Sequence, residues 1–230
     1  MNYWHVFNIN LSELFNPYME YNETFRKAGV QKAIDYITRH NPTALNPINE
    51  ENGWTIGTGA TAFNIEAPGG HSGPGTGGFT TKLFWDYYDF TRDTQLLKEH
   101  VYPALLGISK FLSKTLKEQP DGTLLVDPSF SPEQKHNKQY YRTKGCIFDQ
   151  SMILETYQDL LKAAKILNSR DPFLKTVKEQ IGKLDAIKIG ESGQIKEFRE
   201  ETKYGERSCI KDFLLHISYI ISYSIFSRYF

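Results

Sequence analysis

An all-α fold with long loops is predicted by three features of the sequence. Apolar residues recur at three-to-four residue spacing in several long segments, glycine- and proline-rich stretches separate these segments, and only short strand patterns occur. This combination favours helices paired in layers, such as a helical toroid, over a parallel sheet. The 230 residues, 40% of them hydrophobic, are enough for a sizeable core and fit one domain or part of a larger one.

The first helical pattern begins at Ser12. Its apolar positions are Leu14, Phe15, Tyr18, Met19 and Phe25. A second run follows over residues 23–39, so we predict two core helices.

Periodicity then disappears between residues 41 and 78. The stretch "APGGHSGPGTGG", residues 67–78 and called the glycine-rich segment below, holds six glycines and two prolines. A loop this long inside a domain is usually functional or disordered. Trp54, Phe63 and Ile65 within it predict a packed, shaped loop.

After Gly78 the helical period returns in "FTTKLFWDYYDFTRD", which is apolar around most of its circumference and is predicted to be buried on several sides. A short helix is predicted over 93–101. Pro103 suits the first turn of another helix, which we expect to reach residue 118, before the turn signal at 120–122.

A short strand is predicted at 123–126, followed by "DPSFSPEQ", residues 127–134. Pro128 and Pro132 restrict the residues before them and withhold N–H groups, so this is a stiff, shaped loop. Such loops often carry functional sites, which makes Glu133 a candidate. Taken alone, a loop glutamate is more often a solvated surface group.

Helix is predicted again over 148–167 and after Asp171, which is followed by a proline at the first helical position. Residues 187–198 have the pattern of a β-hairpin. The last stretch, 207–230, differs in composition, with no glycine or proline, and it is too short and polar for a confident transmembrane helix. It is interpreted as a C-terminal core helix or as a divergent, non-native tail.

Composition excludes some classes of function. The 27 basic and 27 acidic residues are interspersed and give no basic stripe for nucleic acid. Two cysteines without a CxxC or Cys/His cluster predict neither a metal site nor a cofactor. The N-terminal stretch lacks the pattern of a signal peptide, so the chain as written is expected to stay in the cytoplasm, whereas a longer parent enzyme is expected to be secreted or periplasmic.

Several segments, in order and spacing, resemble glycoside hydrolase family 95. They are "MNYW" at the start, "NGW", "GPGTGGF" leading into "LFWDYYDFTRD", "YPALLGISKFL", "DPSFSPEQ", "FDQSMI" and "IGESGQIKEFREE". The resemblance runs from residue 1 to about 206 and implies a partial (α/α)6 barrel catalytic domain, with 207–230 as the divergent tail. It also implies an inverting 1,2-α-L-fucosidase acting on fucosylated glycans, without a cofactor, nucleic acid or membrane partner.

The resemblance implies roles for particular residues. Glu133 matches the family's general acid, and partial desolvation would raise its pKa to suit that role. Asp149 and Gln150 match an Asp-Gln pair expected to line or brace the sugar site, although Asp149 could instead cap its own helix. Trp54 and His71 are candidates for sugar contact, the alternatives being a packed tryptophan and a solvent-facing histidine.

The sequence also departs from the family. The water-positioning asparagines and the general base lie in segments that these 230 residues do not match, and "TIGTGATAFN" replaces the family's His-His-Asn-Thr-Asp. We therefore expect an inactive fragment. A glycan-binding protein using Trp85, Tyr87, Tyr88 and Phe90 is the alternative, and a membrane-associated protein anchored by the tail is a third, poorly supported one.

Overall fold

Helices dominate the computed structural model, which describes residues 3–59, 64–136 and 138–201. The α-helices in this part are α1 (Phe15–His40), α2 (Gly75–Thr91), α3 (Thr94–Leu96), α4 (Tyr102–Ser113), α5 (Ile147–Ile166) and α6 (Phe173–Ile181). Short 3₁₀ turns occur at Ser12–Leu14, Pro42–Ala44 and Asn49–Asn52, and a π-helical turn, Leu97–Val101, joins α3 to α4. The predicted all-α fold, part of a helical toroid, is confirmed.

Strands are short and form two antiparallel pairs in the described residues. The first pair is β1 (Leu116–Glu118) with β2 (Leu124–Val126), and the second is β3 (Lys135–His136) with β4 (Gln139–Tyr140). The first pair closes through the turn predicted at 120–122, where Gly122 has a φ of 83° and donates its N–H to the Gln119 carbonyl at 2.9 Å. Left-handed backbone of this kind favours glycine.

The main core lies where α2, α4 and α5 pack together. Phe84 of α2, Phe111 of α4 and Tyr157 of α5 are all buried. Helix α1 lies against this group, because Phe15 contacts Phe84 edge-on with ring centroids 5.3 Å apart. Burial of α2 on several sides, predicted from its nearly all-round apolar pattern, is confirmed.

A second, smaller apolar cluster lies at the start of α5. It consists of Cys146, Phe148, Met152 and Phe198. This cluster joins the first turn of α5 to the segment before residue 201. It also contacts the loop at 127–134, because the Cys146 N–H donates to the Ser129 hydroxyl at 3.0 Å.

Four element boundaries differ from the predictions. The two N-terminal helices are one continuous helix, α1. Helix α4 ends at Ser113 because residues 116–118 pair with β2. The predicted hairpin at 187–198 is a single bridge between Ile189 and Ile195, and α2 begins at Gly75, inside the glycine-rich segment.

The long loop before α2 is packed, as predicted from Trp54. Gly53, with a φ of 69°, lies against α4, and a Cβ at this glycine would be only 2.0 Å from the Gly107 carbonyl oxygen. A side chain at residue 53 is therefore excluded by both backbone conformation and space. Phe63 and the tail at 207–230 lie outside the described residues.

Among residues 3–59, 64–136 and 138–201, no helix has the length and apolarity needed to cross a bilayer.

Candidate active site

The 127–134 loop follows β2 and is held by backbone hydrogen bonds on two sides. Ser129 and Thr143 exchange N–H to carbonyl bonds of 3.0 and 2.9 Å. On the other side, the Gly73 N–H donates to the Phe130 carbonyl at 2.9 Å. The loop is thus fixed between the glycine-rich segment and the strand-like residues that precede α5.

Glu133 lies near the end of this loop, two residues before β3 begins. Its φ is 45°, and its N–H donates to the carbonyl of His71 at 3.0 Å. The side chain of Glu133 is exposed. The desolvation that we expected around this carboxyl is therefore not supplied by the described residues.

His71 is next to Glu133, because its carbonyl is the acceptor of the Glu133 N–H. The His71 ring is exposed and packs beside Tyr140 of β4, with ring centroids 4.5 Å apart. The Tyr140 hydroxyl lies 2.8 Å from the His71 Nδ1. Of the four candidate binding residues, His71 is the one with an exposed side chain beside Glu133.

Asp149 lies in the first turn of α5 and is fully buried. Its carboxylate accepts hydrogen bonds from the Gly75 N–H at 2.7 Å, the Ser129 hydroxyl at 2.6 Å and the Phe130 N–H at 3.2 Å. It therefore caps the first turn of α2, whereas the N-terminus of α5, the alternative that the sequence leaves open, receives no side-chain capping bond. Asp149 has no exposed surface, and it holds the 127–134 loop through the Ser129 hydroxyl and the Phe130 N–H.

Burial sets the charge properties of Asp149. Desolvation raises the pKa of Asp149 to about 6, and the hydrogen bonds from Ser129, Gly75 and Phe130 oppose this rise. The space around the carboxylate is also filled, because a Cβ at Gly73 would lie 2.0 Å from its Oδ2. The glycine-rich segment therefore approaches the carboxylate as closely as backbone allows.

Gln150, the next residue, is also buried and contacts β2. Its amide oxygen accepts the Val126 N–H at 3.0 Å, and its amide nitrogen donates to the Leu124 carbonyl at 3.1 Å. The pair Asp149 and Gln150 thus ties α5 to the strand and to the loop that follows it.

Trp54 does not share this neighbourhood in the contacts described. It is 4% exposed, and its indole N–H donates to the Ala104 carbonyl of α4 at 3.1 Å. The alternative interpretation of a packed tryptophan matches this position.

A depression of about 1020 Å³ opens on the other flank of the loop. Its polar lining includes Asp121, Asp127, Arg142 and Lys144. Glu133 does not line it. The Asp127 carboxylate lies 3.7 Å from Arg142 and 3.6 Å from Lys144.

The comparison with protein families decides the affiliation of the chain. The model for the glycosyl hydrolase family 95 catalytic domain matches residues 1–214. The chain belongs to glycosyl hydrolase family 95.

Two curated relatives have matching segments. The chain is 30% identical over 206 residues to a "Probable alpha-fucosidase A" of Aspergillus niger, covering 86% of this chain and 25% of the relative. It is 26% identical over 212 residues to "Alpha-L-fucosidase 2" of Arabidopsis thaliana, covering 87% of this chain and 24% of the relative. The chain spans about a quarter of the length of these relatives.

One contact of this candidate site is not predicted from the sequence. The hydroxyl of Ser131, in the 127–134 loop, is hydrogen-bonded to a carboxylate oxygen of Glu197, and both side chains are buried. Glu197 lies in the quoted segment "IGESGQIKEFREE", to which no role was given. The available signal was a glutamate next to Phe198 in a segment that resembles the family, but its partner 66 residues away could not be read from spacing.

Proposed function

We propose that this chain provides the general-acid part of an inverting family 95 glycoside hydrolase that removes terminal α-1,2-linked L-fucose from glycans. Glu133 is the general acid in this proposal. The observation that supports it most is the 127–134 loop, which is fixed on two sides and braced from beneath by Asp149 while the Glu133 carboxyl stays exposed. A fixed loop with an accessible carboxyl meets the geometric need of an acid that must reach a leaving oxygen.

The chemistry assigns one proton transfer to Glu133. Its carboxyl donates a proton to the glycosidic oxygen as the bond to the fucose anomeric carbon breaks, and the leaving sugar departs as an alcohol. Water attacks the anomeric carbon from the opposite face and gives its proton to a separate base, so the configuration inverts. His71, whose carbonyl holds the Glu133 N–H, is proposed to face the sugar from the glycine-rich segment.

The base and the groups that position the water are proposed to lie outside the stretches of family 95 that these residues match. These 230 residues on their own are then expected to release fucose very slowly. Loss of a general base alone typically lowers the rate on the order of 10²–10⁴-fold. The chain contributes the acid and its supporting loop, and needs the rest of a family 95 site to turn over substrate.

A hybrid enzyme tests this proposal. The matched segment of this chain replaces its counterpart in the Aspergillus niger relative, and fucose release from 2′-fucosyllactose is measured for the hybrid and for the isolated chain. We expect measurable release by the hybrid, little by the isolated chain, and a loss on the order of 10²–10⁴-fold on Glu133→Gln in the hybrid. Full activity of Glu133→Gln would overturn the assignment, and Glu191→Gln, at an exposed position, is the matched control.

The alternative of a glycan-binding protein loses two of the four aromatic residues that suggested it. Of the four aromatic residues proposed to bind glycan, Trp85 and Tyr88 are 4% and 6% exposed and pack in the core. Phe90 is exposed, at 56%. Glycan binding by the isolated chain with no release by the hybrid would favour this alternative.

A further inference from the structure

A buried carboxyl, that of Glu197, is hydrogen-bonded to the 127–134 loop. Glu197 is 6% exposed, and one of its carboxylate oxygens is hydrogen-bonded to the hydroxyl of Ser131, which is 1% exposed. The backbone carbonyl of Glu197 accepts the Ile147 N–H at 3.0 Å. Glu197 is thereby tied both to the first residue of α5 and to the loop that carries Glu133.

The second carboxylate oxygen of Glu197 is buried and has no hydrogen-bond partner among the described residues. A buried ionised carboxylate with an unsatisfied oxygen is costly, whereas a protonated carboxyl lowers that cost. Glu201 adds to the effect, because its Oε2 accepts the Glu197 N–H at 2.8 Å and brings a second carboxylate close. Burial and then Glu201 raise the pKa of Glu197 to about 7, and the Ser131 hydroxyl opposes the rise.

Other ionisable groups face the same region. Lys188, Lys196, Arg199 and Asp185 line a small cavity together with Glu197. Lys188 lies 3.3 Å from the Asp185 carboxylate, and Arg199 is also paired with that carboxylate. The buried Cys146 thiol, just before α5, is also affected by Glu197: burial raises the pKa of Cys146, and Asp149 and then Glu197 raise it further.

Ser131 lies next to Pro132 in the loop, and its own carbonyl accepts the Gln134 N–H at 3.2 Å. The Phe130 N–H is held by Asp149 and the Glu133 N–H by the His71 carbonyl, but Pro132 between them has no N–H to donate. At this point of the loop the Ser131 side chain adds a hydrogen bond to Glu197. A change at Glu197 therefore acts on Ser131 and Pro132, which connect Phe130, held by Asp149, to Glu133.

We propose that Glu197 is a positioning residue for Glu133, acting through its hydrogen bond to Ser131. That the positioned group is a general acid rests on the proposed function, whereas the coupling of Glu197 to the loop rests on the geometry alone. An uncharged side chain that keeps the hydrogen bond, as in Glu197→Gln, holds the loop at every pH. Removal of the bond, as in Glu197→Ala or Ser131→Ala, releases it.

The test uses the full chain labelled with ¹³C and ¹⁵N, followed by NMR between pH 4 and 9. We expect the Glu133 and Gln134 amide shifts to titrate with the same midpoint as the Glu197 carboxyl carbon. Glu197→Gln is expected to abolish that titration and hold the low-pH shifts. Ser131→Ala and Glu197→Ala are expected to raise the exchange rate of the Glu133 amide roughly ten-fold, because one hydrogen bond of the loop is lost.

Matched controls isolate the source of the signal. Glu191→Gln changes an exposed glutamate of the same segment and is expected to leave the titration intact. A His71→Gln background removes the imidazole beside Glu133, and the titration is expected to persist. Amide dispersion reports folding, and Ser131→Ala, which deletes one oxygen, covers the case in which Glu197→Ala does not fold.

The outcomes separate this inference from the proposed function. The inference is overturned if folded Ser131→Ala leaves the Glu133 amide unchanged, or if Glu197→Gln releases the loop as Glu197→Ala does. Full activity of Glu133→Gln in the hybrid enzyme would instead remove the acid assignment, while a retained titration would still support the coupling of Glu197 to the loop.

Discussion

Three carboxyl groups around the 127–134 loop differ in their exposure. Glu133 is exposed, whereas Asp149 and Glu197 are buried and contact neighbouring segments of the loop. Burial raises the pKa of Asp149 to about 6 and that of Glu197 to about 7. The exposed carboxyl of Glu133 is thus carried by a loop that two buried carboxyls contact, and the pKa values of these two, Asp149 and Glu197, lie between mildly acidic and neutral pH.

This leads to a prediction for the pH dependence of stability. The pKa of Glu197 is raised from 4.5 to about 7 in the folded chain, so the folded state binds the proton more tightly. The resulting stabilisation is fully present below about pH 4.5 and is lost as the pH rises through 7. Urea unfolding of Glu197→Gln at several pH values is expected to show a smaller fall in unfolding free energy between pH 5 and 8, by on the order of 3 kcal/mol.

The matched control for that measurement is Glu191→Gln, which is exposed and should keep the wild-type pH dependence. An unchanged pH dependence in Glu197→Gln would contradict the buried, protonated state of Glu197.

At the scale of elements, local patterns identified most helices but not the contacts that set their ends. The sequence predicts the turn at 120–122, yet it also predicts helix for residues 116–118, because their pairing with β2 is a contact across the turn that a local pattern does not show. Helix α2 starts within the glycines because the carboxylate of Asp149, 74 positions away, accepts the Gly75 N–H. The helix propensities of neighbouring residues carry no information about a capping partner so distant in the sequence.

The same limit applies to the site. The prolines of the 127–134 loop predict that it is stiff, and the role proposed for it rests on the family resemblance. The buried partners of that loop could not be predicted, since Ser131 and Glu197 are joined only by the fold. Trp54 is a second example. A tryptophan in a long loop can bind a ligand or pack in the core, and the sequence does not show that the Trp54 indole N–H donates to the Ala104 carbonyl.

The fit of the glycine-rich segment against α5 gives a prediction at this scale. In Gly73→Ala the new Cβ would lie 2.0 Å from the Asp149 carboxylate, which must move and strain its hydrogen bonds. We expect the unfolding free energy to fall by about 1–3 kcal/mol, as in overpacked cores. Denaturant unfolding measures this.

Gly69→Ala provides the control within the same segment. A Cβ at this position meets nothing within 4 Å, so a change within about 0.5 kcal/mol is expected. Equal losses of unfolding free energy in the two variants would contradict the view that close packing against Asp149 excludes a side chain at residue 73.

At the scale of the whole molecule, the chain combines a helical core with a separately supported loop. Helices α2, α4 and α5 form the core, and the smaller cluster of Cys146, Phe148, Met152 and Phe198 contacts the loop that carries Glu133 through Cys146. The relatives that match this chain are about four times as long as the matched part. Function is therefore best tested in a hybrid that supplies the remainder of a family 95 enzyme.

The most direct test of the acid role is the dependence of Glu133→Gln on the leaving group, measured as kcat/KM in the hybrid enzyme. A sugar alcohol needs a proton to depart, whereas fluoride leaves without one. We predict a loss on the order of 10²–10⁴-fold with 2′-fucosyllactose and less than about ten-fold with α-L-fucosyl fluoride. Equal losses with both substrates would contradict the assignment of Glu133 as the general acid.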